Sequence, residues 1–203
     1  MARIGVYGGT FDPIHWGHVG VCRQAVSQLR LDRLHLIPTF IPPHKESSGL
    51  VSGEHRLAMC RLAVQDQPKV FVDEYELARG GVSYSVETLR HMRELYPTDD
   101  LYLIMGTDNY LTFTQWREWR RIGALCTLAV ASRELDDKEA LYRQARLLTR
   151  EGILTVFLDN DVQVVSSTAI RNQLKSGLCC PGLPESVQDY IVRYGLYRGE
   201  EGR

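Results

Sequence analysis

The run Arg3-Ile4-Gly5-Val6-Tyr7-Gly8-Gly9-Thr10-Phe11-Asp12-Pro13-Ile14-His15-Trp16-Gly17-His18 decides the fold. Arg3 to Tyr7 reads as a short, largely apolar strand that ends at Gly8-Gly9. Behind His18, the stretch Val19 to Leu29 carries Cys22, Ala25, Val26 and Leu29 at helical spacing. A strand, a glycine-bearing turn and a helix form the opening unit of a parallel α/β sheet.

The same alternation continues downstream. Leu34 to Ile37, Val70 to Val72, Leu101 to Met105, Leu125 to Ala131 and Ile153 to Leu158 read as further strands. Several are apolar at successive positions, the pattern of strands covered on both faces. Arg56 to Val64, Val86 to Leu95 and Lys138 to Leu148 show the helical period between them. The expected fold is α/β, a doubly wound parallel sheet. The last part differs: Ser166-Ser167-Thr168 precedes an amphipathic run, Ala169 to Leu174, which Ser176-Gly177 can stop. Pro184 suits the first turn of a final helix, Glu185 to Tyr194, closed by Gly195. No repeat or long linker divides the chain, so residues 1–203 are expected to form one domain, with a small helical C-terminal part from about 166 to 203.

The 203 residues hold 24 Lys plus Arg against 25 Asp plus Glu, a net charge of −1. A protein that neutralises a nucleic-acid backbone carries a basic excess, and none appears here. No apolar run approaches the roughly 20 residues that span a bilayer, and the first residues lack the charged, apolar and small-residue regions expected of a signal peptide. Nucleic acid and membrane are therefore not expected partners. Five cysteines without a CxxC pair make a poor disulfide framework, so the reducing cytoplasm is the expected compartment. A homo-oligomer is compatible with the sequence.

In a parallel α/β sheet, ligands bind beyond the carboxyl ends of the strands, where loops lead into helix N-termini. His15 and His18 fall at such an entrance, a natural phosphate seat. A zinc site is the competing reading; it needs further ligands, and no Cys/His cluster with suitable spacing accompanies the pair. Neither GxxxxGK[ST] nor GxGxxG occurs.

Gly8 to His18 resembles the GGTFDPIHxGH signature of bacterial nicotinate-mononucleotide adenylyltransferases, within the nucleotidylyltransferase superfamily whose HxGH motif is His15-Trp16-Gly17-His18. Further matches follow in order. Ile37-Pro38 through Pro42-Pro43-His44-Lys45 is similar to the family's IPxxxPPHK loop, and Ser83-Tyr84-Ser85 to its SYT segment. Gly106-Thr107-Asp108 with Trp116 is similar to GxDxxxxxxxW, and Ser166 to Arg171 to ISxTxIR. Ser85 stands where Thr is usual, and Val165 where Ile is common; neither change removes a functional group.

The resemblance implies a Rossmann-like nucleotidylyltransferase fold and adenylyl transfer from ATP to nicotinate mononucleotide, giving deamido-NAD and pyrophosphate. It implies that His18 contacts the ATP α-phosphate and His15 the triphosphate, with Gly8, Gly9 and Thr10 lining the cradle. Lys45, Ser167, Thr168 and Arg171 would grip phosphate. Asp108 would bond ribose hydroxyls, Trp116 would stack on the pyridine ring, and Tyr84 and Ser85 would meet its carboxylate. Mg²⁺ would arrive with ATP, held by phosphate and water rather than by protein ligands. The alternatives are another enzyme of the superfamily, such as a phosphopantetheine adenylyltransferase, and a non-catalytic nucleotide sensor.

Overall fold

A computed structural model describes residues 1–43, 49–132, 138–159, 165–176, 178 and 180–198. Six strands form one parallel sheet: β1 (Arg3–Gly9), β2 (Arg33–Pro38), β3 (Val70–Val72), β4 (Asp100–Gly106), β5 (Thr127–Ser132) and β6 (Thr155–Asp159). Their order is β3-β2-β1-β4-β5-β6. The chain winds outward one way from β1 and then restarts at β4 on its other side, with Ile4 paired to Arg33 in β2 and to Leu101 in β4. The gap between β1 and β4 is thus the topological switch point, where a crevice opens at the carboxyl ends.

Helices cover both faces. β4 shows why its sequence is apolar throughout. Leu101, Leu103 and Met105 enter one core with Leu89 and Met92 of α4 (Ser85–Leu95), Tyr110 of α5 (Thr107–Leu111), Ile122 of α6 (Trp119–Leu125) and Leu141 and Leu148 of α7 (Lys138–Arg150). Tyr102 and Ile104 point the other way. They join Val19, Cys22 and Ala25 of α1 (Trp16–Gln28), Met59 and Cys60 of α2 (Gly53–Ala63), and Val187 and Ile191 of α9 (Glu185–Tyr194). Period-two alternation with both sides buried yields a continuous apolar string. Ile170 of α8 (Ser167–Lys175) enters the same core, so the C-terminal helices pack on the sheet domain. No described helix is long and apolar enough to cross a membrane.

Boundaries differ from the sequence expectation in instructive places. β1 runs on through Gly8 and Gly9, which pair with Ile37 and Pro38 instead of ending the strand. α1 starts at Trp16, three residues before the apolar period begins. Leu125 and Cys126 close α6 and its cap instead of opening β5. The short helices α3 (Tyr75–Arg79), α5 and α6 were not expected; five to seven residues are too few for a 3.6-residue period to declare itself. Cys22, Cys60, Cys126 and Cys180 are buried free thiols.

Candidate active site

The loop after β1 is shaped by space more than by turning. Neither Gly8 nor Gly9 has a positive φ; the left-handed residue is Phe11, at φ 47°. A Cβ on Gly9 would lie 2.7 Å from the Phe11 ring, whereas one on Gly8 would meet nothing and stand in the crevice. Phe11 is buried and presents its ring edge-on to His18 at 5.0 Å. His15, the N-cap residue of α1, is 5% exposed and stacks on His18 with ring centroids 3.7 Å apart. The His15 backbone N–H donates to Nδ1 of His18 at 3.3 Å. A ring nitrogen that accepts carries no proton, so the His18 proton resides on Nε2, which is then a donor. α1 has no acidic residue in its first turn, leaving its positive end uncompensated.

α8 brings a second such helix end to the same place, again without an acid in its first turn. Ser166 is its N-cap, accepting from the Ala169 N–H at 3.2 Å. Ser167 donates to the Pro13 carbonyl at 3.0 Å, and Arg171 Nη1 to the Asp12 carbonyl at 2.7 Å. Arg171 Nη2 also donates to Thr168 Oγ1 at 3.2 Å. The loop that leads into the HxGH turn and the start of α8, more than 150 positions apart, are thereby bonded into one wall. Beneath it, the buried Arg56 donates to the Thr10 carbonyl at 2.7 Å; burial pulls its guanidinium below the ordinary arginine range, and the Asp12 charge offsets part of that.

Across the switch point, Gly106 caps α5 and Asp108 occupies its first turn, exposed to the crevice. Asp108 is not the N-cap. Trp116 follows, partly buried against Phe113 at 5.7 Å. Trp119, half-buried and 6.2 Å from Phe113, packs against the same core. Tyr84 is the N-cap residue of α4 and Ser85 its first residue. The Arg117 guanidinium lies over the Tyr84 ring at 4.7 Å. Glu118, held at φ 53°, accepts from Arg90 in the middle of α4 at 2.6 Å, which ties the Trp116 loop to that helix.

Gly8, Gly9, Thr10, His15, His18, Tyr84, Ser85, Asp108, Trp116, Ser167, Thr168 and Arg171 all line one cleft of about 880 Å³. Lys45, with His44, lies outside the described residues. Asp12, Glu76, Asn109 and Arg117, which sequence reading did not single out, also line the cleft. Asp12 was in plain view inside the signature run, but nothing in a one-dimensional string says that its carboxylate is 3% exposed. Among the described residues, no group of three or more His, Cys, Asp or Glu could by itself hold a metal ion. The wall is one of nitrogen donors and hydroxyls, with Asp108 an exposed carboxylate on it, a set that fits a hard cation carried by phosphates and water.

An open α/β sheet whose switch-point crevice gathers donors and cations is built to receive a nucleotide's phosphates, and the comparisons with known proteins give that class a family. Residues 6–173 match the profile described as cytidylyltransferase-like. A relative from Shewanella pealeana, named "Probable nicotinate-nucleotide adenylyltransferase", is 40% identical over 98% of this chain and 97% of its own. One from Syntrophotalea carbinolica, with the same name, is 36% identical over 98% and 99%. A solved structure of Plasmodium falciparum nicotinic acid mononucleotide adenylyltransferase complexed with NaAD covers 97% of this chain and 98% of its own, with a TM-score of 0.79 at 19% identity, a likeness of fold. The chain belongs to the cytidylyltransferase-like family and, within it, to the nicotinate-nucleotide adenylyltransferases, a class of nucleotidyltransferase enzymes.

Proposed function

We infer that the chain transfers the adenylyl group of ATP to the phosphate of nicotinate mononucleotide, releasing pyrophosphate and forming nicotinate adenine dinucleotide, a step of NAD biosynthesis. The observation that carries this reading is the convergence on one cleft of two acid-free helix N-termini, those of α1 and α8, opposite the Trp116 loop and the α4 N-terminus.

The attacking group is already anionic, so no protein nucleophile is required. The protein must bring two anions together in line and absorb charge at the transferring phosphorus. A mononucleotide phosphate oxygen bonds to the ATP α-phosphorus as the bond to the bridging oxygen breaks, and the electron pair leaves with pyrophosphate. In this reading His18 donates from Nε2 to an α-phosphate oxygen, while His15 and the backbone from Gly8 to Thr10 hold the triphosphate. Arg171, Ser167 and Thr168 take the departing pyrophosphate, with Lys45 a further cation. Mg²⁺, when bound, supplies charge neutralisation between the phosphate oxygens.

Trp116 stacks on the pyridine ring and Asp108 bonds the ribose. The first N–H groups of α4 lack intrahelical acceptors, and they meet the ring substituent near Tyr84 and Ser85. Arg117 lies beside them. A carboxylate satisfies these donors; an amide presents its own NH₂ toward them. With Mg-ATP, pyrophosphate release is expected with nicotinate mononucleotide and at least about tenfold less efficiently, in kcat/KM, with nicotinamide mononucleotide, as one charged hydrogen bond is at stake. Equal efficiency with both would refute this account of the pyridine pocket. Release with phosphopantetheine alone would make the chain another kind of adenylyltransferase, and no release with any acceptor would leave a nucleotide sensor.

A further inference from the structure

The chain's C-terminal segment reaches the phosphate wall. Gly195 ends α9 in the left-handed region at φ 62°, and two residues later Tyr197 takes φ 60°, a conformation that side chains rarely adopt. Non-glycine residues held there persist only where surrounding structure over-determines them, and such strain gathers at functional sites. Of the other described non-glycine residues with positive φ, Arg30, Glu118 and Phe11, the last lines the cleft. What over-determines Tyr197 is visible. It packs against the core beneath α1 and α2, and its hydroxyl donates to Asp12 Oδ1 at 2.6 Å.

Asp12 is the hub. Its backbone carbonyl receives the Arg171 guanidinium at 2.7 Å, and its Oδ2 lies 3.9 Å from the same Nη1. Arg56 is its other cationic neighbour. Burial and the adjacent carboxylate hold the Tyr197 hydroxyl far above the ordinary tyrosine range, so it remains a donor throughout the working pH range. With Tyr197 fixing one carboxylate oxygen, the other stays turned toward Arg171. Without it, the buried carboxylate has lost a short bond and is free to rotate toward Arg56 or Arg171.

We propose that Tyr197 is a positioning residue for the ATP site, acting through Asp12 to hold Arg171 where it meets the triphosphate. The proposal rests on the reading of Arg171 as a phosphate ligand, and the test separates the two. Steady-state kinetics are measured for the wild type, Tyr197→Phe, Arg171→Ala and the double variant, each checked for an intact melting transition. Tyr197→Phe is expected to lower kcat/KM for ATP about tenfold, the scale of a lost hydrogen bond to a charged group, and to leave KM for nicotinate mononucleotide within about twofold. In the Arg171→Ala background the same substitution is expected to change kcat/KM for ATP less than about twofold, because the route it acts through is gone. An equal loss in both backgrounds would mean general support of the fold and would overturn the proposal. So would no loss in the wild-type background. If Arg171→Ala itself leaves kcat/KM for ATP unchanged, the phosphate-ligand reading fails and the proposal with it. Should Tyr197→Phe not accumulate as folded protein, Asp12→Asn tests the Asp12–Arg171 link on which the proposal depends, and an equal loss of kcat/KM for ATP in both backgrounds, or no loss in either, overturns the proposal.

Discussion

His18 shows how a single residue acquires its role from its neighbours. The backbone of His15 occupies Nδ1, the Phe11 edge and the His15 face fix the ring plane, and the remaining nitrogen is left as a donor. A donor placed for charge that grows in the transition state contributes to rate more than to substrate binding. His18→Ala is therefore expected to lower kcat by about 10²–10³ while ATP binding, measured separately by equilibrium titration, changes only a few-fold. A near-normal kcat would reduce the pair to a helix-capping turn. At this scale the sequence was highly legible for the histidines, the SST segment and Trp116, because their spacing survives in one dimension. Asp12, Tyr197 and Arg56 were not legible, because their importance lies in burial and in contacts between residues as many as 185 positions apart.

The α3–α4 pair illustrates what an element adds. α3 is five residues long and could not announce itself by period, yet it delivers Glu76 to a site 4% exposed. There Oε1 accepts from Thr88 of α4 at 2.6 Å, and burial pushes the carboxyl above the ordinary range, with nearby hydroxyls offsetting part of the shift. A carboxyl that binds its proton more tightly when folded makes the protein less stable as pH rises from the ordinary carboxylate value through the raised one. Asp73 runs opposite: the His35 hydrogen bond lowers its pKa, so its contribution is complete above the ordinary value and is lost as pH falls toward its own. Comparison with a single variant isolates the first effect. Glu76→Gln, still able to accept from Thr88, should gain stability relative to wild type as urea unfolding is moved from pH 4.5 to pH 7.5. A difference that is the same at both values would show that Glu76 is not carrying this titration. The longer helices and all six strands were readable at element level, and β3 and α9 to their ends, whereas the ends of β1, α1 and β5 were not. Leu125 is the last residue of α6, partly buried against the core that holds Ile122 and Phe113, and a helix of seven residues is too short for its period to claim that residue in the sequence.

Over the whole molecule, the two cores flanking the sheet hide the thiols of Cys22, Cys60, Cys126 and Cys180. Burial raises the thiol of Cys22, like that of Cys126, to about 12, and raises Cys60 further. Thiols that are neither ionised nor accessible react only when the structure opens. In the native protein at pH 7.5, iodoacetamide should leave Cys22, Cys60 and Cys126 unmodified over a period that fully labels the urea-unfolded chain, as read by peptide mass spectrometry. Saturating ATP should slow the residual labelling further, since a ligand of the folded state suppresses opening. Labelling of Cys22 at the rate of a free thiol would contradict the packing described.

The strand order, with β1 at the switch point and α8 and Tyr197 folded back onto the loop that follows it, has a consequence for the life of the chain. During synthesis the first strand, its loop and the two histidines emerge at once, and the sheet is complete when β6 has left the ribosome. The wall that would grip a triphosphate is still missing Ser167, Arg171 and the Tyr197 hydroxyl at that stage. A product interrupted there would also lack Ile170, Val187 and Ile191, which complete the core over one face of the sheet. In the reading proposed above, the phosphate site exists only once the last few dozen residues have folded back onto the loop after β1.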